Sequence, residues 1–263
     1  MMRIAYLGPE GTVSHEAANC IFAGQGASFS PYPTIADVFL ATVRGDTDLS
    51  VIPIENTIDG SVNPHLDFLV HENELPIQAE WVYPSVQHLI GFPNPHGSGV
   101  GHVRKIVSIP VAIAQCREFL KRELPDVEFE HVASTAEGVR TVQQKHTEQL
   151  AAIGTQLAAE RYGLQVLAHN ITDHHNNFTR FILVGNRAFH HPSAGQAKTT
   201  ILVTLPEDYP GALHQVLSAF AWRRINLSKI ESRPTKKKLG SYFSISILKR
   251  PWIQSCCLPP CRK

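Results

Sequence analysis

Five cysteines in 263 residues, three of them crowded at Cys256, Cys257 and Cys261, are too few and too uneven for a disulfide framework. A closed zinc site needs four ligands, and no histidine lies near the three terminal thiols to complete one. The fourteen histidines are scattered, and the adjacent pair His174-His175 lacks the i, i+4 spacing of a helical metal pair, so no metal is expected. Neither acidic nor basic residues are in excess. A net charge of +1 leaves no basic excess for nucleic acid. Residues 1–7 carry a single charge and no long apolar run with a small-residue cleavage site, which predicts a cytoplasmic chain without membrane partners.

What is present is an ordinary globular composition, 43% hydrophobic and 18% charged, with enough length for one large domain or two ordinary ones. Residues 3–7 read as a short apolar strand, Gly8-Pro9-Glu10-Gly11 as a turn, and residues 15–22 as a helix opened at Ser14. Further strands are expected at 49–53, 77–90, 105–108, 128–132, 151–153 and 165–168, and helices at 34–43, 62–70, 111–121 and 155–162. Ser134-Thr135-Ala136-Glu137 has the pattern of a capping box, which accounts for Ser134 and Glu137 without any function. Alternating strands and helices predict parallel sheets with right-handed crossovers, dividing near Trp81 into two lobes, with the strand from Phe181 returning to the first. This α/β domain spans residues 1–185, and residues 186–198 read as a linker. A second domain over 199–248 has the order β-α-β-β, three quarters of a ferredoxin-like unit.

The densest chemistry lies at 173–181, Asp-His-His-Asn-Asn-Phe-Thr-Arg-Phe, which runs directly into the apolar segment 181–184. A strand entering a core from a polar loop sets its first side chains at the sheet edge, where open α/β folds bind ligands. A solvated loop is the plain alternative. In the same way Thr12, Ser14 and the first N–H groups of the following helix can bind an anion, or Ser14 can be no more than a helix cap. Residues 49–53 deliver Glu55, Asn56 and Thr57 to the same region, and Ser61 precedes a second helix.

Gly8-Pro9-Glu10-Gly11-Thr12-Val13-Ser14, Pro53-Ile54-Glu55-Asn56-Thr57-Ile58-Asp59-Gly60-Ser61 and Asn177-Phe178-Thr179-Arg180-Phe181, with Glu231-Ser232-Arg233-Pro234 downstream, closely resemble the prephenate dehydratase family followed by its ACT regulatory domain. The resemblance runs from about residue 2 to 247. It implies a two-lobed, periplasmic-binding-protein-like catalytic domain, an α+β ACT domain, and an aromatising elimination that needs no cofactor. Thr179 is then expected to assist departure of the ring hydroxyl, grouped with Asn56, Thr57 and Glu55 as catalytic residues; the amide of Asn56 is expected to hold ground-state substrate. Thr12, Ser14, Ser61, Ser108, Asn177, Arg180 and Phe181 are the expected substrate-binding residues. Gly211, Ala212, Leu213, Glu231, Ser232, Arg233 and Pro234 are expected to bind L-phenylalanine between paired subunits of a homodimer or homotetramer.

The sequence departs from the family pattern at Thr57, where serine is usual, and at Ile109 and Val111 around Pro110, where histidine and glutamine are common. With Gly8 so near the start, no chorismate mutase segment is expected. After Leu248 the match stops: residues 249–263, with Arg-Pro-Trp, Cys-Cys and Pro-Pro, suit neither the final helix nor the final strand of an ACT unit. The expectation is an altered reading frame at the end, an incomplete regulatory domain and weak inhibition by phenylalanine. A non-catalytic module binding a small anion or amino acid is the rival from another class.

Overall fold

A computed structural model describes the chain except for residues 73–74, 95–96, 98, 191–196, 206–208, 237–241 and 249–263, so the atypical tail lies outside the described residues. The chain divides into two compact units, Met1–Phe189 and His190–Lys263.

The first unit runs β1 (Met2–Leu7), α1 (Val13–Ile21), β2 (Ala27–Tyr32), α2 (Ile35–Val43), β3 (Leu49–Asn56), β4 (Gly60–Ser61), α3 (Asn63–His71), β5 (Ile77–Pro84), β6 (His88–Gly91), β7 (Lys105–Ser108), α4 (Pro110–Ala114), α5 (Arg117–Glu123), β8 (Glu128–His131), α6 (Thr135–Lys145), β9 (Leu150–Gly154), α7 (Gln156–Tyr162), β10 (Gln165–Ala168) and β11 (Phe178–Val184). One sheet has the order β2-β1-β3-β11-β5 with β4 paired to β3, and the other β10-β6-β9-β7-β8. The second lobe, residues 88–168, is therefore inserted between β5 and β11 of the first. The chain passes between the lobes twice, and the two passages pair through Ser85 N–H to Asn177 O at 2.9 Å and Ile171 N–H to Gln87 O at 2.9 Å.

The sheets are mixed rather than parallel throughout. β1 pairs in parallel with β2 and β3, and β7 with β8 and β9, whereas β11 is antiparallel to both β3 and β5, and β6 to both β9 and β10. The reason lies in the run 77–90: no crossover helix interrupts it, so it ends in one sheet as β5 and begins in the other as β6. β2 was absent from the expected strands because its small and polar sequence Ala-Ser-Phe-Ser-Pro-Tyr lacks an apolar run, and it occupies a sheet edge, where proline is tolerated.

Each lobe has its own core. Ala17 and Ala18 of α1 let that helix lie close on Ile4, Tyr6, Leu49, Val51, Phe181 and Leu183. On the other face of the same sheet the Ser50 hydroxyl donates to Val38 O of α2 at 2.8 Å. The second lobe buries Ile106, Ala112, Leu120 and Ile153 on one side of its sheet and Val107, Val139, Val142 and Ala158 on the other. The helix expected over 111–121 is broken into α4 and α5. Asp173, arriving from the returning passage, accepts the Glu118 N–H at 3.0 and 3.1 Å, so an acidic side chain from a remote segment opens α5 as a second helix. The cap of α1 is Thr12 rather than Ser14. At α6 Ser134 is the cap, its Oγ accepting the Glu137 N–H at 3.1 Å, while Glu137 Oε2 accepts the N–H of Ala133 at 3.0 Å, one residue before the cap, so the expected capping box forms displaced by one residue. The front of the expected linker is not a linker: Phe189 is buried and meets Phe22 edge-on, ring centres 5.0 Å apart.

The second unit comprises β12 (Thr199–Thr204), α8 (Ala212–Trp222), β13 (Leu227–Pro234) and β14 (Tyr242–Leu248) in an antiparallel sheet β12-β14-β13. Gly211 opens α8 with φ +91°, a left-handed conformation that favours glycine. Among the described residues no helix is long and apolar enough to cross a membrane.

Candidate active site

The register of β3 against β11 decides which side chains meet. From Val184 to Phe181 the two strands pair one for one, and a skip then follows, so that Phe181 faces Pro53 while Arg180 faces Glu55 and Thr179 faces Asn56. The extra residue on β3 is a bulge, and beyond it the alternation of faces is reversed. Asn56 is thereby turned to the face that carries Thr179 and Phe181, the one covered by α1. Tyr83 of β5 stands opposite Thr179 on the same face.

On that face Asn56 Nδ2 donates to Thr179 Oγ1 at 3.1 Å and to Asn177 Oδ1 at 2.9 Å. Its Oδ1 accepts the N–H groups of Ile58 at 2.8 Å and Asp59 at 3.1 Å. Two backbone donors on one oxygen fix which end of the amide is which, and both N–H groups and both lone pairs are occupied. Asn56 thus has no donor left for a ligand in this arrangement, in which it holds Thr179. Ser85, just past β5, lies 2.7 Å from Thr179 Oγ1 through its own hydroxyl. Asn177, buried, donates to Gln115 Oε1 at 2.9 Å, and Gln115 Nε2 donates to Asp59 Oδ2 at 3.2 Å, tying α4 of the second lobe to both motif loops of the first.

Thr57 braces those two loops. Its hydroxyl donates to Asn176 O at 2.5 Å and accepts Phe178 N–H at 2.9 Å. Thr57, Ile58, Asp173, His174, His175, Asn176 and Phe178 line an open depression of about 630 Å³. Arg180 and Glu55 are on the opposite face from Thr179. Arg180 Nε donates to Glu55 Oε2 at 2.8 Å, and its Nη1 pairs with Glu80. Burial works against the guanidinium charge, but Glu80 and Glu55 outweigh it and raise its pKa. Arg180 therefore ties three strands together, and its charge is already compensated on the side away from Thr179. Phe181 is likewise engaged, stacked on Trp81 with ring centres 5.6 Å apart.

The turn before α1 lies against the second lobe. Thr155, which caps α7, donates to Gly11 O at 2.6 Å, and Leu157 N–H donates to Glu16 Oε1 at 3.1 Å, so a carboxylate from α1 sits at the start of α7. Burial raises the pKa of Glu16, opposed by hydrogen bonds from Leu157, Thr155 and Tyr83. Burial, with Glu16 beside it, pushes the Tyr83 phenol up to about 12. Thr12 donates to Leu7 O at 3.1 Å while accepting His15 N–H at 3.4 Å. His15 accepts Gly11 N–H on Nδ1 at 3.1 Å, and burial together with Arg161 lowers its pKa. Ser14 is buried in the first turn of α1. Ser108 is wholly buried and donates to Ile153 O at 3.0 Å, bracing β7 against β9 instead of opening on the cleft, while Ser61 is in β4 beside Glu55. Val111 is exposed, and it is Gln115, one turn further on, that carries a polar group to the site.

The sequence matches the prephenate dehydratase family over residues 4–188. The chain belongs to that family. Residues 199–250 match the ACT domain family. Prephenate dehydratase of Bacillus subtilis strain 168 is 41% identical over 250 residues, covering 93% of this chain and 87% of the relative. Among solved structures, the prephenate dehydratase of Arthrobacter aurescens in complex with L-Phe aligns with a TM-score of 0.80 at 35% identity, over 94% of this chain and 80% of that one. The enzyme of Staphylococcus aureus Mu50 aligns at 0.79 and 31%, over 95% and 90%.

The family's motif residues thus divide in space: Asn56, Asn177 and Thr179 converge, whereas Glu55 and Arg180 point the other way. In the second unit, Gly211, Ala212 and Leu213 start α8, and residues 231–234 form the end of β13, where Glu231 pairs with Lys229 at 3.3 Å.

Proposed function

We propose that this chain converts prephenate to phenylpyruvate, acting as a decarboxylating carbon–oxygen lyase. The observation that carries the proposal is the Thr179 hydroxyl, held by Asn56 at the junction of two lobes in a chain of this family. As the bond from the ring to its carboxylate breaks, its electron pair enters the ring, carbon dioxide departs, and the ring hydroxyl leaves as water. A threonine hydroxyl is a weak acid in water, so Thr179 acts by aiming a preorganised hydrogen bond at the departing oxygen, where negative charge develops, and the proton is finally made good by water. Leaving bulk water for a less polar site eases loss of the ring carboxylate.

The second unit is assigned to regulation, with L-phenylalanine as effector, since a relative of the same two-part build has been solved with L-Phe bound. Gly211, Leu213 and residues 231–234 are the proposed contacts, shared by paired copies of the chain.

Incubation of the purified protein with prephenate, followed by the ultraviolet absorbance of phenylpyruvate in alkali, tests the activity. Product well above a protein-free control is expected; a folded protein that gives none would sink the assignment.

A further inference from the structure

We infer that Ser85 is a positioning residue for the reaction: it donates its hydroxyl proton to Thr179 Oγ1 and thereby commits the Thr179 proton to the substrate. The inference rests on the dehydratase reading above.

A threonine hydroxyl has one hydrogen to give and two lone pairs with which to accept. One lone pair of Thr179 receives the Asn56 N–H at 3.1 Å, and that donor cannot reverse, because the Asn56 oxygen is held by Ile58 and Asp59. The other neighbour of Oγ1 is Ser85 Oγ at 2.7 Å, a full-strength distance that admits donation either way. If Thr179 donates, its only proton points at Ser85 and nothing is offered to a departing hydroxyl. If Ser85 donates, both lone pairs of Thr179 are filled and its proton has one direction left, away from Asn56 and Ser85. Two donors on the oxygen also polarise its own O–H bond and strengthen what that bond gives. Ser85 is well placed to hold this geometry: it is buried, and its N–H is bonded at 2.9 Å to the carbonyl of Asn177, two residues before Thr179.

The test compares wild type with Ser85→Ala, Ser85→Cys and Ser85→Thr at saturating prephenate, each also made with Thr179→Val. Loss of the donated bond is expected to lower kcat about tenfold in Ser85→Ala and in Ser85→Cys, a weak donor of similar shape, with KM within about twofold. Ser85→Thr keeps the donor and should recover most of the rate. In the Thr179→Val background, Ser85→Ala should have no further effect, because Ser85 acts only through the hydroxyl that is gone. A kcat for Ser85→Ala and Ser85→Cys within twofold of wild type overturns the inference, as does an equal loss in both backgrounds, which is the sign of a merely structural role. Wild type that is folded but inactive on prephenate overturns the dehydratase reading, and this inference falls with it; active wild type beside an indifferent Ser85 overturns the inference alone.

Discussion

Thr179→Val removes one hydroxyl and almost no volume, so its effect reports the hydrogen bond itself. Turnover should fall about a hundredfold with binding little changed, as loss of a transition-state contact requires, and retention within about threefold would take Thr179 out of the mechanism. Asn56→Ala should follow it, lowering kcat at least tenfold while KM stays within about threefold, because every polar atom of Asn56 is spent on the protein. A large rise in KM with unchanged kcat would restore the substrate-holding role. A third expectation concerns acid. His15, His65 and His88 each have a pKa lowered, first of all by burial, so the folded chain favours the neutral rings. Their contribution to stability is complete above the ordinary imidazole pKa of about 6.5 and is lost as pH falls through it toward the lower folded values. Glu16, raised by burial, works in the opposite sense but from the ordinary carboxylate range upward. The urea midpoint should therefore drop between about pH 7.5 and 5.5, and His15→Gln should drop less; equal midpoints for wild type would refute this. At this scale the motifs made Asn56 and Thr179 legible although they are 123 residues apart. The chemistry of Arg180 suits either a carboxylate or a brace, and its strand position sets it against Glu55 and Glu80 on the face away from Thr179. Ser85 and Gln115 stayed hidden because nothing local marks where β5 ends or why α4 stops at Ala114.

Among elements, the tight approach of the β1–α1 turn to α7 invites the sharpest test. Gly11 has φ +85°, and a Cβ there would stand 2.9 Å from Ala158 Cα; Gly163 has φ +65° with open space around it. Both replacements by alanine meet the left-handed penalty, about 1 kcal/mol, but only Gly11→Ala must also push the lobes apart. Its melting temperature should fall clearly further than that of Gly163→Ala, and similar falls would mean that the lobes yield easily. The helices α2 and α7 were readable because cap and apolar stripe agree, whereas of α6 only the start was marked, by its Ser134–Glu137 pattern. The break between α4 and α5 was not, since its cause is Asp173, more than fifty residues downstream. Strand direction in β5 and β6 was equally unreadable: a run of extended residues does not announce that it changes sheets.

For the whole molecule, the second unit leaves Leu202, Ile230 and Trp222 49%, 47% and 83% exposed on a small sheet with one described helix. Apolar surface of this kind is covered when copies pair, so sedimentation should give a species larger than one chain, with a melting temperature that rises with protein concentration. A monomer unchanged across a hundredfold dilution would count against paired regulatory units. The position of β11 has a different consequence, in time. β11 is flanked by β3 and β5, yet it is made only after all of residues 88–168. On the ribosome the second lobe has all five of its strands in hand, the edge strand β10 last, while the first still has a gap in its middle. The later-encoded lobe is thus the first able to mature, and the earlier one waits with the inner edges of β3 and β5 open. Because Thr179 rides on the strand that fills the gap, its meeting with Asn56 comes late in building this unit, and a nascent chain stalled before residue 178 has Asn56 without its partner and is catalytically mute.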